Sequence, residues 1–348
     1  MTIDSVKAFL KEYDGEDMRI MEVCGSHTAA IASCGIRDML SDRIHLISGP
    51  GCPVCVTPSS YIDKLIELSL KPGYCVVTFG DIMRVPGSRE SLLDARSRGA
   101  EVVMVYSPLD CIDIAEKSPE KIFVFAAVGF ETTAPVYAQL IDRVIKAGIE
   151  NIHILTAIKT MPAVIGRIME NGAPIDGFLA PGHVSVITGY DAFSDIARVY
   201  AIPFVVAGFT GERLLVALFD LVKNRGRGLV KNDYPSVVTR EGNLKAKELT
   251  DKYFKPCGAV WRGLGKIKGS GLILREEYSH LDEGSVFLDE DIKLNKACIC
   301  DRVLTGSKNP AECPLFGRGC TPSSPQGACM VSREGSCFTH FVNDIRGK

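Results

Sequence analysis

Cys52-Pro53-Val54-Cys55 sits inside Ser48-Gly49-Pro50-Gly51 and Val56-Thr57-Pro58. Two cysteines, three prolines and two glycines fall within these eleven residues. Glycines let the backbone approach a neighbour closely, and prolines stiffen the turn. A rigid Cys-x-x-Cys suits dithiol/disulfide redox chemistry or half of a metal site. Upstream, Cys24-Gly25-Ser26-His27-Thr28 spaces a cysteine and a histidine as neighbours on one face of a helical turn. A thiolate and an imidazole together make a soft site for iron or another transition metal; they also make a nucleophile and its base.

Of thirteen cysteines, six crowd the end of the chain: Cys298, Cys300, Cys313, Cys320, Cys329 and Cys337. Taking Cys298, Cys313, Cys320 and Cys337 as a set, the gaps are fourteen, six and sixteen residues. Four thiolates suit zinc or an iron–sulfur cluster. Structural zinc usually takes closely paired ligands, so these wide gaps fit a cluster better. Spacing alone does not choose four ligands out of six, and Cys300 and Cys329 remain as a disulfide or as free thiols. Cys34, Cys75, Cys111 and Cys257 read as ordinary core or surface thiols.

The elements that must hold these residues alternate between strand and helix. Apolar runs at 20–23, 44–48, 74–79, 101–106, 122–128, 152–157, 177–180 and 203–207 read as strands. Helices are expected at 4–14, 28–40, from Ser59, from Ser88 to Arg98, after Pro108, from Thr132 or Thr133 to Ala147, at 162–169, 191–200, 210–223 and 243–253. Such alternation implies parallel sheets with right-handed crossovers, and two sheets fit the length better than one. The texture changes at Asn224, and the cysteine-rich end lacks the apolar periodicity for a large core of its own. Small segments of that kind are usually held by metal or disulfides. The expected division is 1–118, with Cys24 and Cys52/Cys55; 119–223, with Gly129-Phe130-Glu131-Thr132-Thr133 and Pro181-Gly182-His183-Val184-Ser185; and 224–348, the C-terminal part.

Asp81, Arg84, Glu131, Thr132, Thr133, His183 and Ser185 each follow a strand end, the binding side of parallel sheets. Singly, the threonines and Ser185 read as helix caps and Asp81 as a turn residue; together they would line one cleft. No G-x-G-x-x-G or G-x-x-x-x-G-K-[ST] occurs, which leaves no sign of a nucleotide site. A net charge of −2 and a pI near 6.3 give no footprint for nucleic acid or an anionic membrane. No apolar run is long enough to span a bilayer, and the first nineteen residues have no signal core. The expected location is the cytoplasm, where so many cysteines suggest metal or catalysis.

Glu22-Val23-Cys24-Gly25-Ser26-His27-Thr28, Gly49-Pro50-Gly51-Cys52-Pro53-Val54-Cys55, Thr78-Phe79-Gly80-Asp81, the Gly129 and Pro181 motifs, Cys320-Thr321-Pro322 and Gly327-Ala328-Cys329-Met330-Val331 occur in this order. In these motifs the chain resembles the HypD family, iron–sulfur scaffold proteins of [NiFe]-hydrogenase maturation. The resemblance implies two similar parallel-sheet α/β domains and a small irregular domain holding a [4Fe–4S] cluster. It implies Cys298, Cys313, Cys320 and Cys337 as cluster ligands, Cys52 and Cys55 as a redox pair near it, and Cys300 and Cys329 as a second thiol pair. Cys24 would bind the iron that becomes the Fe(CN)2(CO) unit, shared with a cysteine of a HypC-type chaperone, with His27 beside it. A HypE-type cyanide donor would dock on the same complex. Glu131 and His183 would orient or protonate cyano or carbonyl precursors.

Two further readings compete with this metallocentre-assembly scaffold, which would not turn over as an ordinary enzyme. One is a cluster-dependent thiol–disulfide oxidoreductase using Cys52, Cys55 and the tail. The other is a zinc-stabilised α/β binding module. Nothing in the chain argues for self-association, so the expectation is a monomer working in heteromeric complexes.

Overall fold

The computed structural model describes residues 2–288, 290–293 and 295–346. In chain order the first elements are α1 (Ile3–Lys11), β1 (Met18–Glu22), α2 (Gly25–Ser33), β2 (Ile44–Ser48) and α3 (Ser59–Leu70). There follow β3 (Tyr74–Thr78), α4 (Leu92–Arg96), β4 (Val102–Met104), α5 (Asp110–Glu116), β5 (Ile122–Gly129) and α6 (Ala134–Ala147). Next come β6 (Ile152–Lys159), α7 (Met161–Glu170), β7 (Gly177–Ala180), α8 (Gly182–Thr188), α9 (Ser194–Tyr200) and β8 (Phe204–Val206). Then come α10 (Gly211–Lys223), β9 (Val230–Asn232), α11 (Leu244–Tyr253), β10 (Phe254–Trp261) and β11 (Gly265–Leu274). The tail carries only α12 (Cys300–Leu304), α13 (Ser336–Arg346) and short 3-10 turns.

The strands form two sheets, in the orders β2-β1-β7-β8-β9 and β10-β11-β6-β5-β3-β4. The first is parallel throughout. The second is parallel from β4 to β6 and then takes β11 and β10 antiparallel. The α/β class and two sheets built mainly of parallel strands are those expected; the antiparallel β10 and β11 are an addition. Strands such as β5, buried at every residue but its first, are continuous apolar runs because helices cover both faces.

The sheets are interleaved along the chain. Residues 18–48 and 177–232 build the first; residues 74–159 and 254–274 build the second. Breaks at 118 and 223 therefore do not separate them. Alternation of strand and helix records that crossovers exist, not which sheet each strand joins. The chain returns to the first sheet through α7, which leaves β6 and packs against β11 and α9.

The largest departure from expectation is the hairpin β10–β11. Gly258, Gly263, Gly265, Gly269 and Gly271 break its period-2 pattern in the sequence, while Gly263 and Gly265 take positive φ at its turn. Trp261, fully buried, stacks on Phe130 at 6.0 Å and donates from Nε1 to Ser270 Oγ at 2.8 Å. The helix expected from Ser88 starts instead at Leu92, where Ser91 and Asp94 form a capping box. Among the described residues no helix is long and apolar enough to cross a membrane.

Candidate functional site

The site begins where β1 ends. Cys24 is the N-cap residue of α2, in extended backbone, and its thiol is buried. Two close backbone approaches wall it in. Gly51 lies against the backbone N and Cα of Cys24, where any Cβ would collide, and its carbonyl accepts from Gly25 N at 3.1 Å. On the other side Gly25 packs on Glu334 of the tail, and Ser26 Oγ donates to Glu334 Oε1 at 3.0 Å. Burial pushes the Cys24 thiol up to about 11; the backbone N–H of His27 opposes the rise and the Glu334 carboxylate adds to it.

His27 is fully buried. Its Nε2 stands 3.2 Å from the Ala207 carbonyl, which can only accept, so the proton belongs on Nε2. Nδ1 has no partner and keeps a bare lone pair, free to act as ligand or base. Burial holds His27 down to about 4, so the ring is neutral at pH 7. Phe209 lies between two imidazoles, 4.8 Å from His27 and 4.1 Å from His183. His183 is exposed at the start of α8, whereas the Ser185 hydroxyl is buried without a partner. Cys24, His27 and His183 thus share the carboxyl edge of the first sheet.

Beneath them lies Glu22. Its Oε1 accepts from Arg37 at 2.6 Å, its Oε2 has no partner among the described residues, and burial raises its pKa. The β2–α3 turn carries Cys52 and Cys55 as a buried disulfide with Cα atoms 5.3 Å apart. Arg262, at the β10–β11 turn, fixes this stretch by donating from its backbone N to Val56 O at 2.8 Å and from Nε to Thr57 O at 2.7 Å. Cys55 Sγ lies 3.9 Å from the carbonyl of Ala328, the residue before Cys329. Cys329 in turn stands 2.7 Å, sulfur to sulfur, from Cys300.

Cys298, Cys313, Cys320 and Cys337 line one small cavity with Cys300 and Cys329, walled by Ile299, Val303, Phe316 and Met330. Gly327 lets its backbone pass close to Cys298 Sγ, and Gln326 N donates to Cys320 Sγ at 3.3 Å. Among the described residues no three His, Cys, Asp or Glu side chains stand close enough to hold a single metal ion. An all-sulfur donor set spread around an apolar cavity suits a multi-iron cluster, whose ligands stand farther apart than those of one ion.

Glu131 is set apart from Cys24 in the fold. It follows β5 in the second sheet, and its Oε1 accepts from the backbone N of Met161 at 2.7 Å, capping α7. Its Oε2 is buried without a partner, and burial raises the carboxyl to about 7. Asp81 and Arg84, past β3, and Thr132 and Thr133, past β5, also belong to the second sheet, so the seven strand-end residues divide between two edges. Sequence reasoning missed Glu334, Phe209 and the buried Glu22 carboxyl as parts of the site. Glu334 sits in an unremarkable Ser-Arg-Glu-Gly stretch, and only the packing of the tail on α2 reveals it.

The family model HypD, described as the hydrogenase formation hypA family, matches residues 2–343. The chain is 44% identical over 336 residues to the hydrogenase maturation factor HypD of Azotobacter vinelandii, covering 93% of this chain and 89% of that relative. It is 43% identical over 337 residues to the hydrogenase maturation factor HypD1 of Bradyrhizobium diazoefficiens, with 93% and 89% covered. With the hydrogenase maturation factor HypD of Rhizobium leguminosarum the identity is 42% over 335 residues, covering 92% and 87%.

Proposed function

Because the chain belongs to the HypD family, we propose that it is a hydrogenase maturation factor on which an iron centre is assembled for delivery. Cys24 holds that iron, which acquires cyanide and carbon monoxide as cargo. The observation that carries this reading is the Cys24 turn itself: a buried cysteine whose turn is packed against the Cys52/Cys55 turn at Gly51 and against the cysteine-rich tail at Glu334. Soft thiolate ligation suits the electron-rich iron that binds such ligands. His27 offers its Nδ1 lone pair on the same edge, and exposed His183 meets the incoming partner. The partners are a HypC-type chaperone, which supplies a second cysteine to the iron, and a HypE-type cyanide donor.

Cys298, Cys313, Cys320 and Cys337 would hold a [4Fe–4S] cluster, which supplies single-electron transfer when bound. The Cys52–Cys55 disulfide accepts two electrons and two protons to become two thiols. Glu131, with one oxygen spent on α7, keeps the other for a proton at neutral pH. A second reading, thiol–disulfide oxidoreductase, draws on the nearness of this disulfide to the Cys300/Cys329 pair. The two readings part at Cys24. In a strain lacking its own HypD, a chain bearing Cys24→Ala fails to restore hydrogenase activity although it folds and keeps its cluster absorbance. Restored activity would remove Cys24 from the iron site.

A further inference from the structure

The carboxyl end of β6 carries a charge that the maturation chemistry leaves unused. Lys159 is 3% exposed, and its ammonium donates to one group, the carbonyl of Val260, at 2.6 Å. It forms no ion pair among the described residues. The acidic side chain acting on it is Asp291, already engaged by the N–H groups of Ser59 and Gly263 and by Arg262. Burying an ammonium without a counter-charge is unfavourable, and buried charges are ordinarily paired.

Beside Lys159 is a cavity of about 40 Å³, lined on one side by the β10–β11 hairpin, in which Gly271 pairs with Lys159. Thr156, Cys257, Tyr61 and Ser285 also line it. The Thr156 hydroxyl is buried and has no partner, but alternation along β6 turns it to the face opposite Lys159. Burial keeps Cys257 a protonated thiol. Tyr61 spends its proton on the Leu155 carbonyl, and Ser285 spends its own on Asp282. The side-chain groups left free on the Lys159 face are hydrogen-bond donors: two ammonium hydrogens and the Cys257 thiol, which lies beside Gly271, the register partner of Lys159.

A space of this size, lined by donors and next to an uncompensated cation, calls for a negative occupant. We propose that the cavity binds a small monovalent anion of two or three heavy atoms, held by the Lys159 ammonium with the Cys257 thiol beside it. The anion neutralises the lysine and ties β6 to the hairpin. This site is independent of the hydrogenase reading, since it uses none of the cysteines assigned to iron.

Lys159 is lowered to about 8 by burial, and Cys257 on β10 and Asp291 beyond the hairpin are the ionisable groups that face it. Anion affinity is therefore steady at pH 7 and falls about tenfold per pH unit above 8 as the amine loses its proton.

Azide is a suitable probe, a triatomic anion whose infrared stretch lies where proteins do not absorb. Titrated into the full-length protein at pH 7, it gives a saturable bound band that formate competes away and the larger sulfate does not. Lys159→Met abolishes the band, and Cys257→Ala, which removes only the thiol on the same face, weakens binding severalfold. Azide bound to iron would survive Lys159→Met, so a band that persists in that variant overturns the proposal while leaving the iron-site reading intact. Absence of any saturable band in the unaltered protein also overturns it and makes the cavity a water site.

Discussion

Alanine at Gly51 would drive a methyl group into the backbone of Cys24, which cannot swing aside as a side chain can. Gly51→Ala should therefore destabilise the fold by about 2–4 kcal/mol, read as a lower thermal midpoint. Gly166→Ala, inside α7 with open space around it, should leave stability unchanged or slightly raised. Glu131 gives a second test, in pH. Its folded carboxyl titrates near 7 against 4.5 for the ordinary group, so the folded state holds the proton more tightly. The stability it contributes is fully present below pH 4.5 and is lost as pH rises through 7, about 3 kcal/mol in all. Relative to the native chain, Glu131→Gln should gain stability between pH 4.5 and 7 and hold a constant advantage above; a flat difference across that range would mean the carboxyl is not buried as described. The Cys24/His27 turn, the Cys52/Cys55 turn and the cysteine-rich tail stand out in the sequence by residue type and spacing, although spacing does not choose four ligands out of the six tail cysteines. Glu334 and Lys159 are not, since each acquires its role from segments that meet only in the folded chain.

At the scale of elements, the strand-to-helix turns follow directly from glycine, proline and capping residues, and all eight expected strands are present as β1 to β8. The short edge strand β9 and the hairpin β10–β11 lie outside those expectations, and the hairpin matters more. Its glycines hide the alternation, and its role is tertiary: it closes the second sheet and clamps the Cys52–Cys55 turn through Arg262. Trp261 anchors it, and as the only tryptophan in the chain it reports on it. Trp261→Ala should cost about 3–5 kcal/mol, measured by thermal unfolding. The native chain should show blue-shifted tryptophan emission that moves red in one step with unfolding. Emission that shifts well before the helical signal is lost would mean that the hairpin docks independently of the sheet.

At the scale of the whole molecule, two interleaved sheets and a tail with little regular structure converge on the Cys24 turn. The tail reaches it through the Ser26–Glu334 hydrogen bond and the packing of α13 on α2. It has few apolar residues to hold it there, so its order should depend on what its cysteines bind. Stripping iron from the protein should open 297–346 to limited proteolysis while both sheets remain protected; equal protection with and without iron would make the tail self-sufficient. The central claim is that Cys24 holds iron carrying diatomic ligands. Its most direct test is the infrared spectrum of the protein, purified without oxygen after co-expression with its maturation partners. The account predicts cyanide and carbonyl bands that are present in the native chain and absent from Cys24→Ala. Bands that persist in that variant, or an iron-loaded native complex with none, would contradict it.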